Sequence, residues 1–125
     1  MKQKEIIKAY QAIDRFNKNE KNRSNASAKL NYALFKIRKL LEPQFQFQQE
    51  SEQKIFQDMS PTPVGEGKFN FGTPERMQEF FAKMKEIEEV EVDLEFTKPV
   101  VDLEEAIVIP MDDIEALEPF VEFKE

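Results

Sequence analysis

Three carboxylates that alternate along one short stretch are the residues with the clearest potential for chemistry. Glu91, Asp93 and Glu95 occupy every second position, and Lys98 follows three residues later. Mg²⁺-dependent nucleases use such groups, with one or two carboxylates holding the metal ion. Any strand with one solvated face shows the same alternation, because successive side chains point to opposite sides. We therefore interpret the row as a surface and predict no catalytic residue and no metal site.

The glycine-rich segment Gly65-Glu66-Gly67-Lys68 partly matches a phosphate-binding loop. A P-loop has a glycine five residues before its Gly-Lys pair and a serine or threonine directly after it. Thr62 and Phe69 occupy those two positions here. The segment is more typical of an ordinary turn, and no cofactor is predicted.

Composition narrows the classes of function further. The 125 residues include no Cys and no His, which excludes disulfides and thiolate metal sites and removes the commonest general base. No apolar run has the length of about eighteen residues that a membrane span needs, and the N-terminal residues lack the apolar segment of a signal peptide. The sequence therefore predicts a non-enzymatic, cytoplasmic protein with no membrane partner.

Charge is distributed unevenly along the chain. Residues 1–42 contain eleven Lys and Arg against four Asp and Glu, whereas residues 43–125 contain seven against twenty-one. A candidate basic interaction face consists of Lys29, Lys36, Arg38 and Lys39, with Tyr32 and Phe35 interleaved. Such a face suits nucleic-acid phosphates and bases, although Phe35 is expected to pack within the hairpin of the first two helices. The alternative is that the basic half docks on the acidic half of the same chain or of a second copy.

A candidate acidic interaction face is the second charged surface. It consists of Glu89, Glu91, Asp93 and Glu95. Rows of carboxylates can occupy a protein site that evolved to hold phosphates, since complementary potentials give specificity and fast association. The sequence therefore allows an acidic nucleic-acid mimic.

Apolar residues at helical spacing predict three principal helices. The first covers residues 2–17, the second begins near Ala26 after a polar loop capped by Ser24 or Asn25, and the third begins at Pro74 behind the N-cap residue Thr73. The first two form an antiparallel hairpin. Their apolar positions are Ile6, Ile7, Tyr10, Ile13 and Phe16, then Leu30, Leu34, Ile37 and Leu41, and in the third helix Met77, Phe80, Phe81, Met84 and Ile87. We expect the third stripe to join the hairpin to the sheet.

Pro43 leaves the end of the second helix open. A proline inside a helix removes one hydrogen bond and clashes with the carbonyl four residues earlier. Apolar residues nevertheless continue at helical spacing beyond it. We predict a helix to about Glu42, followed either by a kinked continuation or by a new helix to about Asp58.

Alternating apolar residues predict the strands. Residues 90–97 have the clearest pattern. Further strands are predicted at about 100–109, at 120–123 and, as an additional one, at 68–71. Pro110 then opens a short helix, with Asp112 and Asp113 in its first turn near the positive end of the helix dipole.

These elements predict an α+β fold in which an N-terminal antiparallel helical hairpin packs on a small, mostly antiparallel sheet with one or two further helices. The expected divisions are a helical hairpin region over 1–59, a connector rich in Pro and Gly over 60–73, and a small α+β region over 74–125. Together they form one compact domain.

Two segments of the C-terminal third support a resemblance. They are Glu88-Glu89-Val90-Glu91-Val92-Asp93-Leu94, preceded by Phe80-Phe81, and Asp112-Asp113-Ile114-Glu115-Ala116-Leu117-Glu118-Pro119-Phe120. They resemble a family of small uncharacterised proteins of tailed phages and prophages, mainly over residues 75–123. The resemblance implies an accessory role as an assembly factor, a virion component or an inhibitor of a host enzyme or defence complex. It carries over no catalytic residue.

The main functional hypothesis is a non-catalytic, phage-type accessory protein that acts by protein–protein interaction in the host cytoplasm. One alternative is an acidic mimic that inhibits a nucleic-acid-handling or defence protein of the host. The other is nucleic-acid binding through the basic helical hairpin. The expected partner is a host or phage protein, with a homo-oligomer through the basic and acidic halves as a further option.

Overall fold

The computed structural model describes residues 1–125 and has an α+β fold, as predicted. In chain order the elements are α1 (Gln3–Lys18), α2 (Glu20–Asn25), α3 (Ala28–Met59), β1 (Thr62–Gly65), β2 (Lys68–Asn70), α4 (Pro74–Glu88), β3 (Val100–Asp102), a 3₁₀-helix (Glu105–Val108), α5 (Met111–Leu117) and β4 (Glu122–Lys124). No helix combines the length and the apolar character needed to cross a membrane.

The N-terminal helical hairpin is confirmed and consists of α1 and the first half of α3. Its connection is more ordered than expected, because α2 forms within the polar segment behind the N-cap residue Asn19. The hydroxyl of Ser27, and not a side chain of residue 24 or 25, caps α3 by accepting a hydrogen bond from the backbone N–H of Leu30 at 3.1 Å. Each start therefore has a side chain that satisfies an otherwise unpaired donor.

One hydrophobic cluster, here called the main core, joins this hairpin to the C-terminal residues. α1 supplies its centre because it contacts both α3 and α5. The eighteen buried residues are Ile6, Ala9, Tyr10, Ala12, Ile13, Phe16, Leu30, Ala33, Leu34, Ile37, Leu41, Val101, Ala106, Ile109, Ile114, Leu117, Phe120 and Val121. The helical positions among them follow the predicted stripes at spacings of three and four.

α3 continues through Pro43 as a single helix to Met59, so the continuation and not a new helix is present. Its second half packs with the β1–β2 hairpin and α4, and residues 43–88 together are here called the distal lobe. Aromatic contacts hold this lobe. The ring centroids lie 4.7 Å apart for Phe56 and Phe69, and 4.8 Å apart for Phe71 and Phe80.

The expected role of α4 is wrong. Its start is as predicted, with the Thr73 hydroxyl accepting from the backbone N–H of Arg76. No residue of α4 is buried, however, and its apolar stripe contributes nothing to the main core. The stripe contacts the rest of the distal lobe through Phe80, which packs on Phe71, while Met77 and Phe81 remain exposed. A periodic stripe specifies that one face is apolar but not which element covers it.

The strands are fewer and shorter than expected. Residues 90–97 form no strand, although Val92, Leu94 and Phe96 pack half-buried against the main core in the predicted alternation. Alternating burial needs only an extended chain lying on an apolar surface, whereas a strand also needs a hydrogen-bonded neighbour. The predicted strand at about 100–109 is only β3, followed by the 3₁₀-helix.

Two separate two-stranded sheets take the place of one sheet. β1 pairs with β2 in antiparallel fashion, with Pro63 opposite Phe69. β3 pairs in parallel with β4, with Val101 opposite Phe123. Val101 of β3 is buried in the main core and Phe123 of β4 packs against it, while Asp102 and Glu122 are exposed.

Candidate interaction surfaces

The candidate acidic face is divided by contacts with the start of α1. The carboxylate of Glu89 accepts hydrogen bonds from the ammonium groups of Lys2 at 2.5 Å and Lys4 at 3.1 Å. A carboxylate oxygen of Glu91 lies 3.0 Å from the Met1 amine. Two of the four predicted carboxylates therefore neutralise cations of their own chain.

Backbone hydrogen bonds hold this arrangement. The N–H of Gln3 donates to the carbonyl of Val90 at 2.8 Å, and the N–H of Val92 donates to the carbonyl of Met1 at 2.7 Å. This short antiparallel bridge between residues 2 and 91 fixes the register at which the lysines meet Glu89. Because the hydrogen bonds from Lys2 and Lys4 favour the ionised carboxyl, they lower the pKa of Glu89 to about 2.

Asp93 and Glu95 are the exposed remainder of the row, and neither forms an ion pair. No three acidic side chains in the protein converge closely enough to hold a metal ion. Asp113, in the first turn of α5, accepts hydrogen bonds from the Arg15 guanidinium. Glu89, Glu91 and Asp113 thus each contact a cation, and no carboxylate cluster forms.

The glycine-rich segment forms the turn between β1 and β2. Gly65 and Gly67 have φ values of 93° and 74°, in the region that favours glycine. Glu66 between them also has a positive φ of 51°. The backbone of residues 65–67 therefore forms the tight turn of a β-hairpin. Lys68 is the first residue of β2, and its side chain is exposed.

The candidate basic face is assembled on the outer side of α3, but with altered membership. Lys29, Lys36 and Lys39 are exposed, whereas Arg38 turns inward toward α1. The Arg38 guanidinium lies 5.7 Å from the ring centroid of Tyr10 and donates to its hydroxyl at 3.5 Å. Cation–π contact with a buried tyrosine makes Arg38 part of the hairpin packing.

Two aromatic residues complete this surface. Tyr32 is 63% exposed and Phe35 is 55% exposed. The ammonium of Lys36 lies 5.5 Å from the Tyr32 ring centroid, and that of Lys39 lies 5.8 Å from the Phe35 centroid. Both are i, i+4 pairs, which face each other on a helix. We call Lys29, Tyr32, Phe35, Lys36 and Lys39 the basic–aromatic face.

Helical geometry explains why the face points outward. Leu30, Leu34, Ile37 and Leu41 place the buried side of α3 toward α1. At about 100° per residue, positions 29, 32, 36 and 39 then fall on the opposite side. This signal was available in the sequence, where the expectation that Phe35 packs within the hairpin gave too much weight to its apolar character.

A second surface was not predicted from the sequence. An open groove of about 470 Å³ lies beside the β3–β4 pair, between the 3₁₀-helix and α5. It is lined by Leu103, Ile107, Ile109, Met111 and Ile114, with Glu104 and Glu125 at its edge. Ile107 is 82% exposed and Met111 is 68% exposed. We call this surface the acidic groove.

The 3₁₀-helix creates the acidic groove. It turns Ala106 and Ile109 into the main core and leaves Ile107 outside. In a continuous strand over the same residues, side chains would also alternate between the two faces. The apolar run in the sequence therefore predicted a strand. No helical spacing or side-chain cap in the sequence indicated this 3₁₀-helix, whose start has no side-chain capping hydrogen bond.

Comparisons with family models, with curated proteins and with solved structures find no match for this chain.

Proposed function

We propose that the protein is a non-catalytic interaction module of the phage accessory type, which binds another protein through the basic–aromatic face. One observation carries the proposal. Tyr32 and Phe35 are exposed to solvent on the first half of α3, and the opposite face of this half is buried in the main core. Tyr and Phe are enriched in protein interfaces relative to the rest of the surface, and Tyr is also enriched at their energetic centres.

The chemistry of the face indicates the character of its partner. Residues 28–41 contain four Lys and Arg and no Asp or Glu. Lys36 and Lys39 lie beside the aromatic rings and leave much of each ring open to solvent. A complementary partner presents apolar surface for Tyr32 and Phe35 with carboxylates around it, since opposite potentials favour association and exclude wrong partners.

A capture experiment with host-cell extract tests this proposal. The Phe35→Ala/Lys36→Glu variant should lose the proteins that the wild-type chain captures. The matched control is Phe47→Ala/Lys54→Glu, which makes the same two changes at exposed positions further along α3. Equal capture by all three proteins would contradict the role of the face. Enzymatic turnover that Glu91→Gln or Asp93→Asn abolishes would contradict a non-catalytic protein.

Nucleic-acid binding through the same face is the second candidate. The lysine–aromatic pairs favour it, because cations can contact phosphates while the rings stack on bases. The formal net charge of −7 opposes it. Fluorescence anisotropy with a labelled oligo-dT at low salt distinguishes the two: binding that the Phe35→Ala/Lys36→Glu variant loses supports this candidate, and no binding by the wild type dismisses it.

The acidic mimic receives less support, because Glu89 and Glu91 are occupied by cations of the same chain. A mimic would rely on Asp93, Glu95 and the acidic C-terminal residues. Its complex with a basic partner should weaken with salt and upon Asp93→Asn/Glu95→Gln substitution. Action in the host cytoplasm is part of the proposal and follows from the resemblance to phage proteins.

A further inference from the structure

We infer that the basic–aromatic face of one copy docks in the acidic groove of a second copy, so that the protein self-associates head to tail. The inference rests on the proposed function, because it names a partner for the same face. It concerns two surfaces that differ in composition and in sign of charge.

The acidic groove has an apolar floor, and the two charged residues that line it, Glu104 and Glu125, are both exposed carboxylates. Residues 99–125 as a whole contain nine Asp and Glu, with Lys124 as their only Lys or Arg. Leu103, Ile107 and Met111 remain accessible in the groove. An occupant must therefore carry apolar groups for the floor and positive charge for the rim, since burying apolar surface and pairing opposite charges both favour association.

The basic–aromatic face meets both requirements. Tyr32 and Phe35 supply the apolar groups, and Lys29, Lys36 and Lys39 flank them. From residue 29 to residue 39 the face extends about 15 Å along α3. A helix face of that length can lie along an open groove lined by seven residues.

The contact must form between copies. Within one chain the aromatic rings and the groove residues Ile107 and Met111 are all more than half exposed, so the two surfaces do not cover each other. Because different surfaces meet, the interface is heterologous. Repeating it produces a closed ring or an open chain of subunits, in contrast to a two-fold dimer.

Sedimentation velocity tests the association itself. At about 50 mM salt the average mass should rise with protein concentration up to about 1 mM, and the apparent Kd should increase about tenfold at about 500 mM salt, where exposed charges are screened. A wild-type chain that remains monomeric throughout this range would overturn the inference. So would an assembly that is unaffected by salt.

The decisive test mixes two variants, each of which lacks one of the two surfaces. Phe35→Ala/Lys36→Glu retains only the groove, and Ile107→Ser/Met111→Ser retains only the face. Each alone should be monomeric, and an equimolar mixture should form a dimer of one copy of each, which cannot extend. A mixture that stays monomeric, although both variants unfold cooperatively at near wild-type temperature, contradicts head-to-tail docking.

Two further variants keep the test informative. Glu104→Lys/Glu125→Lys changes only exposed charges at the rim, so it replaces the Ile107→Ser/Met111→Ser variant if that protein fails to fold. Met77→Ser/Phe81→Ser removes exposed apolar residues of α4 and should leave association unchanged. Loss of association in this α4 control would show that general stickiness, and not the groove, drives assembly.

The outcome is separable from that of the proposed function. If the wild type is monomeric but Phe35→Ala/Lys36→Glu still loses its captured protein, self-docking is overturned and the interaction module stands. If the wild type assembles and the variant pair complements, while capture from extract is unchanged by the variant, self-docking stands and the proposal of a foreign protein partner fails.

Discussion

Glu89 shows how one carboxylate can connect distant parts of the chain. It accepts hydrogen bonds from Lys2 and Lys4, which lie more than eighty residues earlier in the sequence. The same contacts raise the pKa of Lys2 and lower that of Glu89 to about 2. Because the folded-state pKa of Glu89 lies below its ordinary value of 4.5, the stabilisation is present above about pH 4.5 and is lost as the pH falls toward 2.

Glu89→Gln should therefore lower the melting temperature at pH 7 by about 2 °C, and the difference from wild type should vanish near pH 2. Thermal unfolding followed by circular dichroism between pH 7 and pH 2 measures it. Glu86→Gln in the last turn of α4, directly before Glu89 at its C-cap, is the control, since Glu86 is exposed and forms no ion pair. A Glu89→Gln difference that stays constant with pH would mean that the carboxylate charge is not responsible.

Arg15 and Asp113 form the corresponding link between α1 and α5. The carboxylate of Asp113 is nearly buried and accepts hydrogen bonds from Arg15 Nη2 at 2.5 Å and Nε at 3.4 Å. The hydrogen bond to Asp113 raises the pKa of Arg15, so the guanidinium keeps its proton. Arg15→Ala should destabilise the protein by about 1 kcal/mol, because it leaves a buried acceptor unpaired while Arg15 itself is largely solvated.

Chemical denaturation of Arg15→Ala, Asp113→Ala and the double variant measures this coupling. The summed decrease in the free energy of unfolding of the two single variants should exceed the decrease in the double variant. Lys8→Ala, an exposed position of α1 without an ion pair, controls for the removal of a cation. Strict additivity would show that the two residues act independently.

At the scale of elements, what could be predicted followed from local pattern. The buried stripes of α1 and the first half of α3, the Thr73 cap and the short helix after Pro110 all depend on residues close in sequence. What could not be predicted depended on distant partners. Residues 90–97 have the alternation of a strand but lack a neighbouring strand, and α4 has an amphipathic stripe but lies outside the main core.

The candidate site shows the same division. Spacing alone placed Lys29, Lys36 and Lys39 on one helix, and the structure brings them together. It could not show that Arg38 would be drawn to Tyr10, since that contact requires the hairpin to form. The acidic groove depends on the parallel β3–β4 pair, whose two strands are separated by the 3₁₀-helix and α5.

Pro43 is the element-scale feature with a measurable cost. It lies in the interior of α3 on an exposed side and cannot donate a hydrogen bond to the carbonyl of Lys39. Pro43→Ala should stabilise the protein by about 1–3 kcal/mol in chemical denaturation. Gln46→Ala, an exposed position one turn further on, should change stability by less than about 0.5 kcal/mol. Destabilisation by Pro43→Ala would instead mean that the local shape at Pro43 is needed to align α3 with α4.

At the scale of the whole molecule, the chain contains two regions of unequal burial. The main core holds eighteen buried residues, whereas the only buried hydrophobic residues of the distal lobe are Met59 and Phe71. α3 extends through both regions. Because local stability follows buried apolar contact, the distal lobe should open at a lower free energy than the main core. We expect the contacts of its aromatic cluster, and of Phe56 in particular, to set the free energy of this local opening.

Hydrogen exchange of Phe56→Ala resolves this difference. Phe56 has three aromatic neighbours, which are Phe69 in β2, Phe71 just after β2 and Phe80 in α4. Its removal should therefore accelerate hydrogen exchange in residues 62–88 about tenfold or more. Amides of α1 should retain their protection, since the main core that buries α1 contains no buried residue of the distal lobe. Phe47→Ala removes an exposed ring from the same helix and should change neither region. If α1 and α4 lose protection equally, the two regions unfold as one cooperative unit and α3 transmits the loss along its full length.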